Sequence, residues 1–198
     1  MTTGRASTAA QRADGPVGRD EVVAATLEAA ADLFAKRGPT ATSIRDVAAR
    51  AGVNHGLVYR HFGTKEQLVG AVLDYLGQHL ADLIAGGAAG PDIDAAVDRQ
   101  LRVIARTTLD GYPIGELQTR FPNIAELLDH MRRRHPDERS ARLAAAHAIA
   151  LRVGWRLFGG FLRAATGLDD LTDEELQRSI TDVLGRFVAA DDKAATRP

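Results

Sequence analysis

The sequence contains no cysteine, which excludes disulfides, thiolate metal sites and a cysteine nucleophile. Aromatic residues make up only 5% of it. Val, Ile, Thr and aromatics are too sparse for a sheet-rich protein, whereas alanine, the strongest helix former, is abundant. No apolar run approaches the roughly 18 residues that a membrane span needs. The first residues lack the apolar stretch of a secretory signal, so a cytoplasmic protein without a membrane partner is expected. No glycine-rich phosphate loop, G-x-S-x-G or H-E-x-x-H is present. The six histidines are scattered, and the spacing of His55 and His61 does not aim both at one ion from a helix. Neither a metal, a cofactor nor an enzymatic activity is expected.

What remains is an ordinary soluble composition of 198 residues, 45% hydrophobic and 26% charged. A chain of this length buries about two-thirds of its unfolded surface and needs no staples. The formal net charge is -1, but it is unevenly spread. Up to Lys65 there are nine Lys and Arg against six Asp and Glu; beyond it there are sixteen against twenty. A basic front and an acidic back suggest two jobs.

Residues 1–18 are small, polar and aperiodic, and read as a disordered arm; Arg5 and Arg12, with Arg19 just after it, are solvated or brush DNA. From Asp20 the apolar residues Val23, Leu27, Ala30 and Phe34 follow helical spacing until Gly38-Pro39. A short helix from about Ser43 to Ala51 follows, with Ser43 and Asp46 at capping-box spacing. Gly52 breaks it, and a third short helix spans about Asn54 to His61. Thr64 and Gln67 cap a fourth helix, and Asp92 is read as the cap of a fifth. One or two helices cover about 114–134, a long one spans about 137–165, and Thr172 and Glu175 cap the last. The fold class is therefore all-α, with a domain at 19–65 and a second at 66–198.

Ser43 to Phe62 has the layout of a helix-turn-helix: two short amphipathic helices, a tight turn at Gly52, and a third helix as brace. The second helix of such a pair projects into a major groove. Its outward set of Asn54, His55, Gly56, Tyr59, Arg60 and His61 is rich in hydrogen-bonding groups and free of acids.

The stretch from Val22 to Leu73 resembles the N-terminal region of TetR-family transcriptional regulators. The resemblance is carried by Leu33-Phe34, Arg37-Gly38, the run Thr42 to Ala48, Ala51-Gly52-Val53, Tyr59-x-His61-Phe62 and Lys65-Glu66. It implies a homodimer on a palindromic double-stranded DNA operator, released when a small-molecule effector enters the C-terminal half. It also implies phosphate contacts from Tyr59, His61, Lys65, Ser43 and Thr42, and a phosphate or base contact from Arg45. Asn54, His55 and Arg60 occupy the positions of base readers, where Arg60 suits guanine and Asn54 adenine. Gly56 matches a small residue that lies close to DNA.

In the second half, the long helix carries Leu143, Ala146, Ala150, Val153, Leu157, Phe161 and Leu162 on one face, and the last carries Leu176, Ile180, Val183 and Leu184. This pair resembles the dimer-forming helices of the family; alone, such stripes equally pack inside one subunit. The large apolar residues Leu101, Ile104, Tyr112, Leu117, Phe121, Leu128, Met131, Trp155 and Phe158 are the effector-pocket candidates, with plain core as the alternative. The absence of buried-looking charge clusters points to an apolar or amphipathic effector. The basic run 130–135 reads as a solvated helix end. Two alternatives stay open: a helical small-molecule-binding protein that reads no DNA, and an activator of the same fold.

Overall fold

A computed structural model describes residues 18–188; the N-terminal arm and the last ten residues lie outside it. Among the described residues there are nine helices and no strand: α1 (Arg19–Arg37), α2 (Ile44–Ala51), α3 (His55–Phe62), α4 (Lys65–Ala85), α5 (Gly90–Leu109), α6 (Ile114–Leu117), α7 (Pro122–Arg132), α8 (Glu138–Thr166) and α9 (Asp173–Val188). The all-α expectation holds. None of the described helices is long and apolar enough to cross a membrane.

The helix ends follow local chemistry. Ser43 and Asp46 form the expected capping box, with the Ser43 hydroxyl accepting from the Asp46 amide at 3.1 Å and the Asp46 carboxylate accepting from the Ser43 amide at 2.9 Å. Thr64 with Gln67, and Thr172 with Glu175, repeat the arrangement. Gly52 closes α2 at φ 68°, a left-handed conformation in which a Cβ is strained. Two expectations shift. Asp92 does not cap α5; the helix begins earlier, because Pro91 is tolerated in a first turn whose amides lack partners anyway. The buried stripe of α1 keeps Ala30 and Phe34, but its first half runs through Val22 and Thr26, with Val23 and Leu27 only partly buried. Thr26 is tolerated inside because its hydroxyl donates to the Val22 carbonyl at 2.7 Å.

Two cores result. The first joins Ala30, Phe34, Val47, Val58, Leu68, Val72 and Leu76 with Val103 of α5. It therefore crosses the boundary expected at 65/66. The second joins Met131 of α7, four alanines of α8 (Ala141, Ala144, Ala145, Ala148) and Leu176, Ile180 and Leu184 of α9. α4 is buried around much of its circumference and contacts α1, α3, α5, α6 and α7. At Gly70 a Cβ would lie 2.5 Å from the Leu117 carbonyl oxygen, so α6 approaches α4 only because that side chain is missing.

The outward face of α8 has no partner within the described chain. Leu143 and Phe161, on the side opposite the buried alanines, are 49% and 69% exposed, and Phe158, between the two faces, is 58% exposed.

Candidate nucleic-acid interface

α2 and α3 pack across each other through Val47, Ala48 and Val58, which turns their polar faces outward together. Ser43, Ile44, Arg45, His55, Gly56 and Tyr59 line one open groove between the N-terminus of α2 and α3. Tyr59 is 65% exposed. A half-exposed aromatic held on a rigid helix with a free hydroxyl suits a backbone phosphate.

Each expected side chain has a definite place. Ser43 spends its oxygen lone pair on the cap, which leaves its hydroxyl proton to donate outward. Its amide, donating to Asp46, is the main cause that holds the Asp46 carboxyl below the usual carboxylate range, with Arg37 adding to the effect. Arg37 thus pairs with the acid in the first turn of α2, and Arg45 is exposed beside it. His55 is exposed in the first turn of α3. Arg60 and His61 border a second groove together with Arg19, Val22 and Leu57. Lys65, half-buried, points its ammonium toward the Thr40 carbonyl at 3.4 Å.

Two assignments change. Thr42 is 1% exposed; its hydroxyl donates to the Gly38 carbonyl at 2.8 Å and accepts from Arg37 Nε at 3.3 Å, so it braces the loop from inside instead of facing outward. Asn54 is the N-cap of α3, its side-chain oxygen accepting from the Gly56 amide at 2.8 Å. Bidentate recognition of adenine needs both ends of that amide, so Asn54 is a cap first. Gly56 has a local reason to be small as well: an added Cβ would lie 3.2 Å from that same oxygen.

Arg19, grouped with the arm by its sequence context, opens α1 and lies beside Arg60 and His61. Its helical periodicity with Val22 was the available signal.

The effector-pocket candidates do not converge. Ile104, Tyr112 and Leu117 pack against the first core, and Met131 and Trp155 belong to the second. Leu101 is half-buried and Phe158 is 58% exposed on α8. Phe121 and Leu128 do meet, in an open apolar groove lined also by Gln78, Arg120, Pro122, Ile124 and Ala125. The basic run is largely accounted for by local pairing. Arg132 makes a bidentate pair with Glu138 at 2.8 and 2.9 Å and a second contact with Asp129, and Arg134 lies against His130.

Comparison with known proteins agrees with this geometry. The sequence pattern of bacterial regulatory proteins of the tetR family matches residues 27–72. The chain is 59% identical to the HTH-type transcriptional repressor Rv3405c of Mycobacterium tuberculosis (strain ATCC 25618 / H37Rv), over 91% of this chain and 96% of that one. A TetR-family transcriptional regulator from Streptomyces coelicolor shares the fold with a TM-score of 0.51 and 25% identity, over 86% of this chain and 97% of its own. A TetR-family protein from Vibrio parahaemolyticus aligns with a TM-score of 0.52 and 19% identity, over 84% of this chain and 96% of its own. This chain belongs to the tetR family of bacterial regulatory proteins and is a transcriptional regulator.

Proposed function

We propose that the protein is a homodimeric repressor that binds a palindromic operator and leaves it when a small apolar or amphipathic molecule binds the second half. The observation that carries the DNA-binding part is the α2–α3 groove, where Ser43, Arg45, His55 and Tyr59 surround one concave, acid-free surface. Ser43, Tyr59, His61 and Lys65 contact phosphates, with the N-terminal end of α4 adding to the anion site. Arg45 contacts a phosphate or a base edge, and His55 and Arg60 read bases. Repression is supported by the 59% identical relative, which is an HTH-type transcriptional repressor.

The dimer reading rests on the uncovered apolar face of α8. Two reading helices then fall about 34–36 Å apart, or a multiple of that, as a two-fold operator requires. The effector reading rests on the apolar groove between α4 and α7. An effector that favours the DNA-incompetent dimer shifts the population toward it.

The test is anisotropy titration of the full chain against DNA upstream of its own gene, in low and physiological salt. Saturable binding by two protomers that survives competitor DNA is the expected result. Binding abolished by competitor DNA at every sequence tried, including a genome-wide selection, overturns the reading and leaves a ligand-binding helical protein. An operator-linked reporter that rises, not falls, with the protein marks an activator instead.

A further inference from the structure

The loop between α1 and α2, residues 38–43, ends on Ser43, the DNA-facing cap of α2. This loop is held from outside the reading helices. The Thr40 amide donates to the Asp110 carboxylate at 2.7 Å, across 70 residues of sequence. Gly38 makes room for that carboxylate: its φ is 80°, and an added Cβ would lie 2.6 Å from Asp110 Oδ2. Tyr112, two residues on, has the Thr40 side chain as a polar neighbour. From the other side Lys65 reaches the Thr40 carbonyl at 3.4 Å. Inside, the Thr42 amide donates to the Pro39 carbonyl at 3.0 Å and the Thr42 hydroxyl to Gly38.

Asp110 opens a strap that runs to α7. Its middle, α6, lies on α4 at Gly70. Its far end is pinned by Asp74 of α4, which accepts from the Thr119 and Arg120 amides, both at 2.8 Å, and from the Thr119 hydroxyl. The strap thus has one anchor on α4 and one on the loop that sets the start of α2. Directly after it come Phe121 and Pro122, which line the apolar groove.

We propose that Asp110 is a positioning residue for DNA binding: its carboxylate fixes residues 38–43 and so holds the phosphate-facing end of α2 in register with α3. The inference rests on the DNA-binding reading above. Its geometry and its charge act in opposite directions. A carboxylate near a phosphate-binding surface lowers affinity by repulsion, whereas a carboxylate that holds Thr40 raises it by keeping Ser43 and the first amides of α2 in place. Removing Asp110 therefore gives opposite results under the two accounts.

The experiment uses the full chain and a duplex that the wild-type protein selects from a random pool. Asp110→Ala is expected to bind about tenfold more weakly, the equivalent of one hydrogen bond to a charged group. Its plot of log affinity against log salt flattens by about one, as for one lost phosphate contact. Asp110→Asn keeps an oxygen for the Thr40 amide and sheds the charge, so it binds at least as tightly as wild type. Amide hydrogen exchange in the DNA-free protein adds a readout independent of DNA: Thr40 exchanges faster in Asp110→Ala, while Ala30 and Phe34 in the core keep their protection. Affinity of Asp110→Ala equal to or above wild type overturns the proposal. So does equal weakness of both variants, or exchange at Thr40 that does not change. If the wild-type protein selects no duplex, the DNA-binding reading falls and the positioning role with it, while Thr40 exchange still reports whether the latch exists.

Discussion

The guanidinium of Arg99, on α5, meets the carboxylate of Asp32, on α1, at 2.7 Å. Asp32 is also the partner of Arg50 at the end of α2. One carboxylate thus ties the two halves of the molecule to the first helix of the reading pair. Arg99 extends the junction, meeting Glu28 at 2.8 Å and donating to the Glu28 backbone carbonyl at 3.1 Å. Tyr75 of α4 donates to the same Glu28 at 2.8 Å. Burial first, and then this acidic partner, push the Tyr75 hydroxyl above its ordinary range.

Asp32→Ala removes one partner from Arg99, whose side chain is only 22% exposed. Leaving part of a mostly buried guanidinium unpaired costs on the order of 1–3 kcal/mol. Urea unfolding followed by circular dichroism should show that loss. An Asp32→Ala protein as stable as wild type would assign no structural weight to the junction.

Gly70→Ala should destabilise by about 1–3 kcal/mol, since the new methyl meets the Leu117 backbone and the close approach of α6 must open. Gly87→Ala is a poor control, because its φ of 67° is itself strained. Gly115→Ala, in α6 with open space around it, is the better one and should be neutral or slightly stabilising. Thermal melts of the two variants give the comparison.

Phe161→Glu puts a charge on the most exposed of the outward phenylalanines of α8. Sedimentation at micromolar concentration should find monomer where the wild type gives dimer, with the helical spectrum unchanged. DNA affinity falls in parallel, because half-site binding loses the linkage between two readers.

Glu138 yields a pH prediction. Arg132 first, and then Arg142, hold its carboxyl down to about 2, from an ordinary value of 4.5. A group depressed in the folded state contributes stability above its unfolded value and loses it as pH falls through the folded one. Glu138→Gln should therefore be less stable than wild type at pH 7, and the gap should close as pH drops from 4.5 toward 2. Stability curves that stay parallel across that window would remove the Arg132–Glu138–Arg142 cluster from the account. The exposure of the group keeps the effect small and salt-sensitive.

Features decided within a few residues were readable from the sequence. Ser43 with Asp46, Thr64 with Gln67 and Thr172 with Glu175 are caps because both partners lie in one turn. Gly52 was readable because a reversal between two short helices needs a left-handed residue. The helix-turn-helix followed from these local signals. Errors arose where a residue had two competing local uses. Asn54 looks equally like a first reading residue and a cap, and only the position of its oxygen over the Gly56 amide separates them. Thr42 beside Ser43 looks like a second hydroxyl for phosphate, until the loop closes around it. Packing across the chain left no local trace. Nothing near Asp110 announces Thr40, and nothing near Leu117 announces Gly70. For the same reason size and apolarity alone do not place the effector-pocket candidates, which the fold distributes between two cores and a groove.

The inclusion of Val103 in the first core bears on how the protein is made. α1 to α4 precede α5 in the chain, and the hollow they form is filled only when Val103 follows, flanked by Ile104 and Tyr112. The DNA-reading end therefore completes its core only once α5 has emerged, about midway through the 198 residues. It also travels poorly as a module. A graft onto a relative's body cut at residue 65 would leave Phe34, Val47 and Val58 facing a stranger's α4 and α5, whereas a cut in the strap beyond Leu117 carries the whole first core along.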